Sequence, residues 1–282
     1  SDLLPDNYRS KIRIIFTSFL LLITSLSLLY SQEIIKIPEK GSKGDFYMYY
    51  GWNTSIYSNS DISFSGEDYD FTLYDVVAKD RPSKYRANLY FNPKTFSVPH
   101  YNFRIGYFVT DRIIISFGVD HMKYVVTNGQ YVNITGTTKN LNSIETFTFS
   151  NEPIIITEDF LQYEHTDGLN YIHSDIRLSH DLFAIGHLSF VSDIGGGIGF
   201  LLPKTNAQIL GRARHDDFNI AGIGLNALVA IDIKFFDLIF LKTEVKGGHI
   251  NMPNIRTTAE SIDKASQSFW FSELTFVFGA KF

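Results

Sequence analysis

The chain contains no cysteine. That excludes a disulfide framework, a thiol nucleophile, a cysteine metal site and a lipidated N-terminal cysteine. Long apolar runs are missing after residue 31. None approaches the roughly 20 residues that a membrane-spanning helix needs, so helical insertion is excluded for residues 32–282. A basic excess is missing too: 25 basic residues face 30 acidic ones, and no stripe of lysine and arginine stands out. A nucleic-acid ligand is therefore not expected. No repeat array, low-complexity tract or linker marks a second domain.

The one long apolar run lies at the start. Lys11 and Arg13 precede Ile14 to Leu29, and Tyr30-Ser31 stand before Gln32. This is the pattern of a cleavable export signal, with the cut before Gln32. The expected organisation is a signal segment at 1–31, with residues 1–10 as an upstream extension, and a single domain at 32–282. Three of the basic and two of the acidic residues lie in 1–31, which leaves a net charge of −6 for the remainder.

What the sequence has in quantity is aromatic side chains, with 25 Phe and 16 Tyr. They recur at every second position. In the last segment, Trp270, Leu274, Phe276, Phe278 and Phe282 share one face, and Gln267, Glu273, Thr275, Gly279 and Lys281 share the other. Period-2 alternation over such a length is a strand with one apolar and one polar face. Seven more segments alternate alike. They begin near Phe46, Tyr101, Ile113, Ile172, Leu188, Ile223 and Ile239. Exported strands of this kind, with no spanning helix, point to a closed barrel, the form in which strands satisfy their backbone inside lipid. Short connections at 110–112, 183–186 and 234–236 alternate with long ones at 57–96, 127–168, 203–215 and 251–266, the asymmetry of an outer-membrane barrel. The expected fold is all-β: a transmembrane antiparallel up-and-down barrel of eight strands with long extracellular loops. Asp68–Lys79 and Ile154–Glu164 are also strand-like, either as hairpins standing above the membrane or as spanning strands, in which case ten or twelve strands are the alternatives.

The inward faces carry Arg104, Asp120, His173, Asp175, Arg177, Asp193, Lys242, Glu244, Lys246 and Glu273. Eight strands leave room only for side chains, and buried charges must pair. A charged network filling the lumen is the leading expectation, and a small passive pore is the rival. A second rival is a lipid A-modifying hydrolase at the membrane rim, using His121 with Asp120 or His173 with Asp175. Asp61, Glu67, Asp68, Asp70 and Asp75 form an acidic stretch that could hold a divalent cation or bridge through one to lipopolysaccharide. A solvated loop is the plainer reading, and no cofactor is expected.

The stretches SDISFSGEDYDFTLYDVVAKDRP (60–82), NFRIGYF (102–108), SFGVDHMKYVV (116–126), GHINMPNIRTT (248–258) and DKASQSFWF (263–271) resemble an uncharacterised family of outer-membrane β-barrel proteins. The architecture is similar, at fold level only, to OmpA, OmpX and PagL-type eight-stranded barrels. The ending through Trp270, Phe276, Phe278 and Phe282 resembles the C-terminal signal strand that barrel assembly machinery reads. The resemblance implies a monomer in the outer membrane of a Gram-negative cell, in contact with outer-membrane lipid and lipopolysaccharide. Its role would be structural or at the surface, more in keeping with a non-enzyme than an enzyme.

Overall fold

The computed structural model describes residues 42–81, 100–139 and 145–282, so the expected signal at 1–31 lies outside the described residues. Fourteen strands follow in order: β1 (Phe46–Tyr57), β2 (Ser60–Ser65), β3 (Tyr69–Val76), β4 (Ala78–Lys79), β5 (Tyr101–Phe108), β6 (Ile113–Val126), β7 (Tyr131–Lys139), β8 (Thr146–Ile155), β9 (Leu161–Ile185), β10 (Leu188–Ile209), β11 (His215–Phe218), β12 (Gly222–Phe235), β13 (Ile239–Arg256) and β14 (Lys264–Lys281). Among the described residues all strand pairings are antiparallel. No helix among the described residues is long and apolar enough to cross a membrane.

Eight strands make a ring in the order β1-β5-β6-β9-β10-β12-β13-β14, and β1 pairs β14 to close it. These are the eight segments that alternate in the sequence. Closure leaves no edge, so every wall strand can pair its backbone without water. On the outside, Phe46, Ile105, Ile115, Ile176, Ile198, Leu225, Leu241 and Phe278 form an exposed apolar belt. Trp270 and His249, 5.0 Å apart, mark the belt's upper level on β13 and β14. Such a belt on a closed barrel is stable only against lipid. The chain is an outer-membrane-type barrel, and the outer membrane is its place.

The strands in the long connections change the expected picture of loops. Eight is the count of the ring and not of the chain. β2, β3, β7 and β8 form a sheet that continues from β14, while β4 pairs β6 and β11 pairs β10. The upper parts of β6, β9, β10, β13 and β14 rise past the belt and join this sheet in a head. Asp68–Lys79 and Ile154–Glu164 contribute to it and do not span. The reason is apolar burial above the belt: Ile62, Phe64, Phe71, Leu73, Met122, Tyr124, Ile134, Leu161, Met252 and Phe269 pack into one core there. The opposite end has short turns, at 110–112, Gly186–His187 and Phe236–Leu238, and it also holds Phe46 and Phe282, whose backbones pair at 2.8 Å.

Candidate functional site

Among the described residues, the lumen holds the largest gathering of ionisable side chains out of water. Alternation puts Arg104 of β5, Asp120 of β6, His173, Asp175 and Arg177 of β9, Lys246 and Glu244 of β13 and Glu273 of β14 inside, all essentially buried. Arg104 donates to Asp175 at 2.5 Å, to Asp120 at 3.2 Å and to the Tyr49 hydroxyl at 2.9 Å. Arg177 donates to Glu244 at 2.6 Å and to Asp175 at 3.0 Å. Lys246 binds Asp120 and lies 3.4 Å from Glu244 and 3.6 Å from Glu273. His173 sits between two carboxylates, Nδ1 at 2.7 Å from Asp175 and Nε2 at 2.7 Å from Asp120. Lower down, Lys242 joins Asp193 at 2.5 Å and Asp232 at 3.3 Å.

Neutral groups complete the layer. Asn102 donates to Asp120 at 2.7 Å and Glu273 at 2.8 Å, Thr275 donates to Glu273 at 2.8 Å, and Asn226 reaches Asp175 and Tyr171. Glycine makes the room. Around one level of the ring the register runs Arg104, Gly118, His173, Gly199, Gly224, so His173 stands between two glycines and Arg104 beside one. Opposite Asp175 and Arg177 stand Gly197 and Gly195. A side chain at Gly199 or Gly118 would collide with His173 or with Arg104 and its strand.

This charged layer is closed on both sides. Below it Tyr47, Tyr49, Phe108, Ile114, Phe240 and Val277 pack as a mostly aromatic floor, interleaved with the Lys242–Asp193–Asp232 cluster and with Lys281, whose ammonium lies over the Phe108 ring. Above it Tyr171 stacks on His173 at 4.2 Å, and the head's apolar core follows. A cavity of about 20 Å³ lies near Tyr47, Ser179, Asp193, Asp232 and Lys242, with room for about one water.

The structure brings all ten expected lumen residues inside, in two clusters. Asp232, Asn102, Tyr49 and Asn226 belong with them and were missed, although Asp232 and Asn226 have the parity of the inward face of β12. Asp120 and His121 do not form a pair: adjacent strand residues face opposite ways. The His121 ring stacks on Tyr101 at 4.8 Å and its Nδ1 lies 2.8 Å from Asn170. His173 and Asp175 do meet, but with no hydroxyl between them and no opening to lipid or solvent, since both are 1% exposed.

The acidic stretch does not converge. Among the described residues no group of three or more ligating side chains could hold a metal ion. Asp68 binds Arg212 at 3.0 Å and Lys139 at 3.3 Å, and their hydrogen bonds hold its carboxyl below the usual range. Asp61 accepts from the backbone of Asp75, while Glu67 and Asp70 lie on other parts of the β2–β3 hairpin. Trp270, Phe276, Phe278 and Phe282 all face outward on β14.

No protein-family model and no curated protein matches the sequence. Among solved structures, the chain is similar to the outer membrane protein OprG from Pseudomonas aeruginosa at 10% identity, covering 86% of this chain and 97% of that one, with a TM-score of 0.38. The outer membrane protein AlkL gives 11% identity, 89% and 96% coverage and a TM-score of 0.37. Neisserial surface protein A gives 10%, 85% and 100%, and 0.35. These values carry no argument about role or ligand, and the assignment of the barrel rests on the closure of its ring and its apolar belt.

Proposed function

We propose that the protein is a sealed, non-enzymatic outer-membrane barrel that carries a folded β head at the cell surface, where its role is structural or interactive. The single observation behind this reading is that packed side chains fill the lumen, from the aromatic floor through paired charges to the apolar head core. A pore needs a continuous water path, and here the head core closes one end while paired charges and floor rings fill the rest, leaving near Lys242 room for about one water. A rim hydrolase needs a lipid-accessible histidine with a carboxylate or hydroxyl beside it, whereas His173 is enclosed by carboxylates, the ring of His121 is engaged by Asn170 and Tyr101, and His249 at the belt's upper level packs on Trp270 with no such hydrogen-bond partner among the described residues. The short turns belong in the periplasm and the head outside, because barrels put their long excursions at the cell surface. A monomer in contact with outer-membrane lipid and lipopolysaccharide, inserted by barrel assembly machinery that reads the aromatic end of β14, fits this arrangement.

The absence of native cysteine makes the test clean. Tyr131→Cys in the head should react with a membrane-impermeant maleimide on intact cells. Asp237→Cys in a short turn should react only after the outer membrane is opened. The reverse pattern, or labelling of both only in the inner-membrane fraction, would defeat the reading.

A further inference from the structure

Arg256 and Lys264 stand directly opposite each other in the β13–β14 register, both exposed on the outer wall. Like charges in that position oppose one another. Neither side chain has an acidic partner among the described residues. The nearby Asp263 is buried and occupied by Thr258 at 2.8 Å, and exposed Asp70 lies one strand beyond Ser65, which pairs Lys264. Of the other head cations, Lys139 and Arg212 bind Asp68, Lys204 binds Asp167 and Arg81 binds Glu164, while exposed Lys79 stands opposite Val125 with no second cation paired across from it.

Below the pair, the outward face of the same strands is polar without charge. β14 presents Ser266 and Ser268 and then Trp270, and β13 presents Asn254, Asn251 and then His249. Ser63 and Ser65 of β2 extend this face sideways, with Ser63 bonded to Thr72 at 2.8 Å. Six residues separate Lys264 from Trp270, a rise of roughly 15 Å on a tilted strand. From the belt upward the wall therefore offers an apolar surface, a strip of hydroxyls and amides, and two unpaired cations. That order matches acyl chain, sugar and phosphate.

We propose that Arg256 and Lys264, with the hydroxyl–amide strip beneath them, bind the phosphorylated sugar headgroup of an outer-leaflet glycolipid whose acyl chains lie along the belt. The proposal rests on the outer-membrane placement of the head, which the cysteine labelling tests separately. Phosphate supplies the charge that two opposed cations lack, and arginine and lysine are its usual donors.

The full chain in zwitterionic detergent is titrated with a short-chain lipopolysaccharide whose core sugars, above the acylated disaccharide, carry phosphate, with the same glycolipid after phosphate removal, and with inorganic phosphate, and read by native mass spectrometry. Wild type should prefer the phosphorylated lipid by about tenfold. Arg256→Gln/Lys264→Gln should lose that preference, Lys79→Gln should keep it, and millimolar inorganic phosphate should not displace the lipid. Equal preference in wild type and the double variant overturns the proposal, as does equal loss in Lys79→Gln. Displacement by inorganic phosphate would reduce the site to a phosphate site without a sugar contact and overturn the glycolipid assignment. Heat-modifiable gel migration checks folding in each variant. A second reading does not need lipid: Lys264→Gln alone should leave the melting temperature in lipid-free detergent unchanged or raised. A lowered one would mean that Lys264 already has a partner within the protein, against the proposal.

Discussion

Gly197 of β10 lies opposite Asp175 of β9, and a Cβ on Gly197 would stand 2.2 Å from the Asp175 carboxylate. The glycine is the space that the carboxylate occupies while it binds Arg104, Arg177 and His173. Gly197→Ala should therefore displace the centre of the network and cost about 1–3 kcal/mol through overpacking. Gly247→Ala is the control, because a Cβ there meets only one atom, at an ordinary 3.7 Å. Urea unfolding in detergent that gives the two variants equal stability would mean that the lumen has slack at Asp175.

Arg177 and Glu244 form a second such dependence, at 2.6 Å and fully inside. Arg177→Ala leaves Glu244 and Asp175 short of a cation, and should cost about 3–5 kcal/mol. Adding Glu244→Gln should recover part of this loss, since the stranded charge goes with it. A double-mutant cycle measures the coupling. Simple addition of the two single losses would show that the pair does not act as a unit.

The head has its own pH dependence. His165 lies in residues 161–169 of β9, above the belt, with Nδ1 at 3.0 Å from Thr205 and no partner on Nε2 among the described residues. Burial lowers its pKa to about 3. An unfolded histidine titrates near 6.5, so below that pH the unfolded chain takes a proton that the folded head refuses. This contribution is present above about pH 6.5 and lost as pH falls toward 3, with a slope approaching about 1.4 kcal/mol per pH unit. His165→Asn should flatten the slope between pH 6.5 and 4 in thermal unfolding of the head. Matching slopes in wild type and variant would place the sensitivity elsewhere.

Phe282 closes β14 with its ring 6.4 Å from that of Phe46 and exposed to the belt. Phe282→Asp should lower the folded, heat-modifiable fraction in cells severalfold. Phe282→Tyr should keep it. If the aspartate variant assembles like wild type, the aromatic end is not read during insertion.

The ring was legible because its strands obey one local rule. Lipid outside and a narrow lumen inside impose the same alternation on all eight strands, so Ile115, Leu241 and Glu273 reveal their faces from parity alone. The head was legible only in part, as strand-like stretches at 68–79 and 154–164 that could stand above the membrane. Ile62, Phe64, Phe71 and Leu73 alternate as the wall strands do, but their strands pair with β14 and the distant β7, and such pairings leave no mark on local spacing. Asp120 and His121 show the complementary limit: neighbours in sequence, they serve opposite faces. Asp232 shows that parity reaches beyond the ten expected residues: it shares the inward face of β12 and joins Lys242 beside Asp193. The partners of Asp68, at Arg212 and Lys139, depend on the folding of the head and were out of reach.

Conductance in planar bilayers tests the sealed lumen most directly. Wild type, inserted from folded and heat-modifiable material, should add no steady current above the bare bilayer. Arg177→Ala, which removes a large buried side chain beside Asp175 and Glu244, should add a small leak. A steady ohmic current through wild type would contradict the account, because no continuous path can cross an aromatic floor, a filled charged layer and an apolar head core that are all in place.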